Sequence, residues 1–223
     1  QAVISGALDM ANSSGLYQGG QIPVSAVEFG LPFMYKFPDL QNDYMKEVSE
    51  IRNFFYSSGM VDLLRKEYAK FGIYWLDMHS FGPDTFFSTS PMGTLDDFKG
   101  KKIFSLPQFG SWLKKMGAAP SEPAGGDLYM GLKLGTLDIV TWDINGIPVM
   151  NFQEVAPNVM IGFSNDQMIG HWEVNMKAWN SLPDELKQIL ADATKDWSHY
   201  KNKVIAEIEQ KANKIAQTDK INL

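Results

Sequence analysis

Few residues in this 223-residue chain have a type and spacing that could do chemistry. Its three histidines are His79, His171 and His199, and none stands in a metal-ligand spacing such as HExxH. Cysteine is absent, which excludes thiol nucleophiles, disulfides and cysteine-held metals. No GxSxG elbow, P-loop or GxGxxG motif occurs. The carboxylates Asp84 and Asp143 fall near strand ends, but their spacing does not by itself imply acid/base work. Gly125-Gly126-Asp127 offers either backbone N–H groups to an anion or an ordinary loop with an Asp cap. Both arginines, Arg52 and Arg65, lie in one early helical stretch. An anion bound further along the chain would need lysine, backbone N–H, Trp N–H or a metal. Trp142-Asp143, at the end of an apolar run, is the best single site signal; the competing reading is a core Trp at a strand end.

The elements that position these residues centre on Thr94 to Asp143. A turn at 97–100 leads into a strand from Lys102 to Leu106. A helix from about Phe109 to Met116 follows, with Trp112, Leu113 and Met116 on one face, and Gly117 stops it. A Pro/Ala/Ser loop crosses to Asp127, which caps a helix with Tyr129, Met130 and Leu132 inside. Leu137 to Trp142 reads as a buried strand. Strand, helix, helix, strand is an α/β signature, and ligands in such sheets sit off the carboxyl ends of strands. Those ends carry Phe104 to Gln108 and Trp142 to Asn145.

Upstream, Ala7 to Ala11 reads as the end of a strand entering a small-residue loop. Leu31-Pro32-Phe33 begins a turn, and Pro38-Asp39 opens a helix in which Tyr44, Val48 and Ile51 share a face. Phe54 to Lys70 continues helical, and residues 72–78 form a buried strand. Residues 79–93 read as a polar loop or a crossing into a second lobe. Downstream, Met160 to Phe163 and Trp172 to Met176 look extended. Ser181, Pro183, Asp184 and Glu185 start a long helix. Its apolar positions are Leu186, Ile189, Leu190, Ala193, Trp197, Tyr200, Val204 and Ile208.

Composition narrows the class. Hydrophobic residues make up 44% and charged residues 21%, ordinary values for a globular protein with an ample core. Net charge is −6 without a basic block, which argues against nucleic acid or an anionic membrane surface as partner. No apolar run approaches the roughly 20 residues of a membrane span. Aromatics reach 13% with six Trp, which fits either core packing or an aromatic-lined cleft.

Six short segments, in order, resemble the extracytoplasmic solute-binding proteins of tripartite ATP-independent periplasmic (TRAP) transporters, the DctP-like family. They are Ala2 to Ala11, Leu31-Pro32-Phe33, Asp97 to Ile103, Met116 to Pro120, Asp127 to Asp138, and Asn175 through Leu182-Pro183. The loop Pro123-Ala124-Gly125-Gly126 is most similar to the branch that binds 2-oxo acids and related monocarboxylates, sometimes with a metal ion.

The resemblance implies an α/β, two-lobe periplasmic-binding-protein-like fold braced by the long helix. Lobe one would be 1–80 plus 170–206, and lobe two 81–169 plus 207–223. Function would be capture of a small organic solute, an organic acid or else a neutral polar compound, between the lobes by hinge closure, with delivery to the membrane components of a TRAP-type transporter. The location would be periplasmic. No signal peptide stands in this chain, and by the resemblance it looks truncated at both ends. The implied lining is Phe104, Gln108, Trp142, Asp143 and Asn145 from lobe two. Residues of the loop from Asn12 to Tyr17 join from lobe one, with Phe81, Asp84 and Phe163 near the crossing. The family's carboxylate-binding arginine would fall at Phe104, which cannot pair with a carboxylate. No cofactor is required. A sodium or calcium ion would sit at Trp142 and Asp143, although the branch's Glu-Trp is Thr141-Trp142 here. An alternative to binding is a carboxylate-assisted enzyme acting on a small molecule around Asp84 and Asp143.

Overall fold

The computed structural model describes residues 1–29, 44–105, 107–122, 125–160 and 167–218. The expected turn at Leu31 and helix start at Pro38 lie outside them, as does Phe163. Helices are α1 (Ala2–Ser5), α2 (Tyr44–Ser57), α3 (Met60–Ala69), α4 (Pro107–Lys115), α5 (Leu128–Lys133), α6 (Met176–Ser181) and α7 (Asp184–Thr218). Strands are β1 (Met10–Ser14), β2 (Ile73–Ser88), β3 (Lys102–Phe104), β4 (Ala119–Ser121), β5 (Ile139–Asp143), β6 (Asn158–Met160) and β7 (Gln167–Asn175). The chain divides into two compact units, Gln1–Phe81 with Asp166–Ala206 and Gly82–Asn165 with Glu207–Leu223.

In unit 1, β1 runs antiparallel to β7, from Met10 opposite Val174 to Ser14 opposite Gly170. The first half of β2 follows β7 in the sheet. Helices α2 and α3 cover it through Ile51, Phe55, Leu64 and Tyr68, packed on Ile73, Trp75, Met78 and Ile169. The periodicity of residues 54–70 suggests one continuous helix, but two form. Gly59 breaks it with φ 82°, a left-handed angle that a side chain would strain. Leu63 of α3 is exposed, whereas Leu64 and Tyr68 are buried.

In unit 2, the second half of β2 is flanked on both sides. It pairs antiparallel with β5, Asp84 opposite Asp143 through Ser88 opposite Ile139. It also pairs with β6, Phe86 opposite Met160. Strand β3 runs parallel to β5 and to β4. The core is Phe87, Phe104, Leu128, Leu132, Val140, Ile147, Phe152 and Ala212. The expected Pro/Ala/Ser loop thus contains a short edge strand, β4. Ala119 N and Ser121 O bond toward β3, so Pro120 turns its missing donor to the open side of the strand. Helix α5 is rotated from its expected register: Leu128, Gly131 and Leu132 are buried while Met130 is exposed. Asp127 stands at its N-terminus without a side-chain cap bond.

The largest departure is residues 79–88, a continuation of β2 rather than a polar loop. Its polar members Asp84, Thr85 and Ser88 are buried; β5 pairs with all three, and β6 flanks Ser88 on the other side. The long helix α7 spans 35 residues, but its packed face differs from the apolar stripe. Leu186, Ile189 and Tyr200 are exposed, whereas Thr194, Ser198, Asn202 and Ile205 are buried. The Ser198 hydroxyl lies 3.0 Å from Met78 O of β2 and 2.8 Å from Thr194 O, so a small polar face lets the helix approach a strand edge. Ser181 closes α6 by donating to Ala178 O; it does not cap α7.

Candidate functional site

The carboxyl ends of β3 and β5 lie side by side in unit 2, and β2 enters next to them at Asp84. Alternation in the strands separates the expected residues into two faces. Phe104 and Trp142 share the core-facing side, with ring centroids 6.2 Å apart. Trp142 also meets Phe152 edge-on at 6.3 Å. Phe104 is 7% exposed and packed with Val140, so most of its ring is core rather than ligand surface. Trp142 is half-buried, and a Cβ on Gly125 would stand 3.7 Å from its Cη2, so the glycine loop borders the indole.

The opposite face begins apolar, with Ile103 and Ile139 buried, and turns polar at the strand ends. Asp84 and Asp143 are cross-strand partners, so the structure brings together two carboxylates whose sequence separation did not pair them. Asp143 Oδ1 accepts the Asn145 amide hydrogen at 2.9 Å and so starts the turn Ile144–Gly146. Thr141 Oγ1 donates to Phe104 O at 3.2 Å, linking the ends of β3 and β5. Ser105, absent from the expected lining, is 1% exposed at the end of β3. Its Oγ has no hydrogen-bond partner, nor does Asn145 Oδ1. The available signal was a polar residue closing the apolar run Ile103-Phe104. The Gln108 side chain lies outside the described atoms.

In unit 1, two expected residues meet around His79. Asn12 Nδ2 lies 2.8 Å from its Nε2 and Lys201 Nζ 2.8 Å from its Nδ1. The Lys201 ammonium stands 3.8 Å above the Phe81 ring, and Trp197 and Trp172 extend the aromatic cluster. Burial first, and the Lys201 charge second, hold the His79 pKa down to about 3, so this ring is neutral.

A second buried polar group in unit 1 was not visible in the sequence. Glu28, fully buried, accepts from Tyr68 Oη at 2.7 Å, Trp75 Nε1 at 3.2 Å, His171 Nδ1 at 2.7 Å and Gly15 N at 2.9 Å. His171 Nε2 reaches Glu173 Oε2 at 3.4 Å. Burial opposes a charged His171, but the Glu28 charge and the bonds from Glu173 and Glu28 outweigh it and raise its pKa to about 9. His79 and His171 are thus buried in hydrogen-bonded groups of unit 1, and His199 is exposed on α7.

Strand-end geometry on a mixed sheet, with a long helix shared by two units, defines an α/β binding-protein class. The chain matches the bacterial extracellular solute-binding proteins, family 7 (DctP), over residues 1–223, and it belongs to that family. It is 27% identical to the ectoine-binding periplasmic protein TeaA of Halomonas elongata over 195 residues, covering 85% of this chain and 53% of TeaA. It is 24% identical to the monocarboxylate 2-oxoacid-binding periplasmic protein all3028 of Nostoc sp. PCC 7120, covering 86% of this chain and 51% of that protein. The chain thus spans about half the length of these relatives. A TRAP periplasmic solute-binding protein from Colwellia psychrerythraea, solved with calcium and pyruvate, superposes with a TM-score of 0.86. Identity is 26%, covering 99% of this chain and 65% of that one. These relatives are binding proteins, so the enzyme alternative around Asp84 and Asp143 has no support. The family is one of extracellular solute-binding proteins, and among the described residues no helix is long and apolar enough to cross a membrane.

Proposed function

We propose that this chain binds a small organic acid at the carboxyl ends of β3 and β5 and hands it to the membrane components of a TRAP transporter in the periplasm. The observation carrying this reading is the opposed pair Asp84 and Asp143 at the strand ends, with the half-buried Trp142 next to Asp143 on β5. Two carboxylates directly across a ladder concentrate negative charge at the strand ends, and a cation among them would offset it for an anionic solute. The donor set fits a hard cation: Asp84, Asp143 and Asn145 Oδ1 supply oxygen alone, and Trp142 would add its carbonyl. Among the described residues no group of three or more His, Cys, Asp or Glu stands together, so any such ion would take part of its coordination from the solute. The cation would supply positive charge for the carboxylate. Trp142, half-buried beside the Gly125 loop, would bound the apolar part of the solute.

A thermal-shift and calorimetric screen of small acids in calcium-containing and calcium-free sodium buffers tests this. A bound acid at a hundredfold its Kd adds about 2.7 kcal/mol of stability. Trp142→Ala is expected to weaken binding at least tenfold, and Asp143→Asn to abolish any cation dependence. The reading is wrong if no acid shifts the melt at millimolar concentration. Trp142 leaves the site if its alanine variant binds unchanged.

A further inference from the structure

We infer that the solute's carboxylate is held by the Ser105 hydroxyl together with the N-terminus of α4. This inference rests on the acid-binding reading above and names the group that takes the charge. Both arginines are engaged within unit 1. Arg52 is tied to Asp77 at 2.6 Å and to Met78 O, and Arg65 to Trp75 O and Leu76 O, all in unit 1. Four lysines of unit 2 stand elsewhere on its elements. Lys101 donates to Ser90 Oγ, and Lys102 donates to Gly135 O at the amino end of β3. Lys114 and Lys115 stand in the last turn of α4.

Ser105 is different. It follows the last residue of β3 and precedes by two the first residue of α4, Pro107. Proline in a first helical position has no N–H to satisfy, while the N–H groups after it have no acceptor within the helix. A serine just upstream of a helix usually caps such groups. Here its amide nitrogen is spent on Ser121 O at 3.3 Å, and its Oγ bonds to nothing although the residue is 1% exposed. A buried hydroxyl without a partner is destabilising, and it persists where something outside the chain completes it. The nine-residue helix adds the positive end of its dipole. A hydroxyl donor beside such an end matches an anionic oxygen. Ser105 also alternates onto the same side of the sheet as Thr141 and Asp143, by the register Ile103 opposite Ile139. A cation at Asp143 and a donor at Ser105 would thus address the same carboxylate.

The test uses pyruvate and its neutral amide, pyruvamide, as probes, by calorimetry on the wild-type chain and on S105A. The wild type is expected to favour pyruvate. S105A should lose about tenfold for pyruvate, the loss of one hydrogen bond to a charged group, and little for pyruvamide. Without ligand, S105A should melt at the same or a higher temperature, because an unsatisfied hydroxyl is gone. Unchanged pyruvate affinity in S105A overturns the inference but leaves acid binding standing. A ligand-free melt several degrees lower also overturns it, since the hydroxyl would then be structural. If the wild type binds neither probe nor any acid of the wider screen, both readings fall.

Discussion

Replacing Glu28 by alanine is expected to destabilise the chain by about 3–5 kcal/mol, a large share of the roughly 5–15 kcal/mol that holds a domain folded. Glu28 accepts four hydrogen bonds while fully buried, from Tyr68, Trp75, His171 and the Gly15 amide. Alanine leaves three neutral donors and one buried imidazolium unanswered. Each orphaned neutral donor costs about 1–3 kcal/mol, and an uncompensated charge costs more. Gly15 tightens the demand. A Cβ there would come within 2.9 Å of Glu28 Oε2, so the loop backbone is pressed against the carboxylate and no other side chain has room to enter. Thermal or urea unfolding checks the effect. Glu67→Ala is the control: Glu67 pairs with Lys70 one turn away in solvent, and its loss should cost no more than about 0.5 kcal/mol. A Glu28→Ala midpoint no lower than the Glu67→Ala midpoint would remove the network from the account of unit 1.

What was legible in the sequence was local. The run Ile139 to Trp142 reads as a strand because it is apolar at almost every position, as a strand covered on both faces should be. Gly117 reads as a helix stop, and it ends α4 with φ 85°. Residues 79–88 defeated the same reasoning. A string holding His79, Ser80, Gly82 and Asp84 lacks the apolar signal of a central strand, yet its second half is flanked by β5 and β6. Helix α7 shows a finer limit. Its 3/4 periodicity was real, but periodicity reports a face and not what covers that face. Ser198 and Thr194 could take the inner side because their hydroxyls return to carbonyls. The candidate site divides in the same way. Trp142 and Asp143 were marked by a strand end. Ser105 and the pairing of Asp84 with Asp143 depend on register between strands, and Glu28 meets His171 across 143 positions. No local pattern encodes such a distance.

Stability should peak near pH 6.5 and fall on both sides, because the two buried histidines of unit 1 are shifted in opposite directions. His171 titrates at about 9 when folded and near 6.5 when unfolded. The folded state therefore holds one proton more across that interval. Its contribution is complete below about 6.5 and is lost as pH rises toward about 9, at close to 1.4 kcal/mol per pH unit. His79 titrates at about 3 when folded. There the unfolded state holds the extra proton, so its contribution is complete above about 6.5 and is lost as pH falls toward about 3. Glu173 adds to the acid limb. Burial alone would raise its pKa, but the His171 and Gln18 hydrogen bonds prevail and lower it, so its contribution too is lost on acidification. Urea unfolding between pH 4 and 9 measures both limbs. His79→Gln should flatten the acid limb and spare the alkaline one. His171→Gln should remove the alkaline slope, at the cost of lower stability throughout, because Glu28 and Glu173 then face each other without a cation between them. A profile level from 6.5 to 9 in the wild type would mean that His171 is neutral in the fold. The Glu28 network would then be a set of neutral donors around one carboxylate instead of an ion pair, and the penalty of Glu28→Ala would shrink with it.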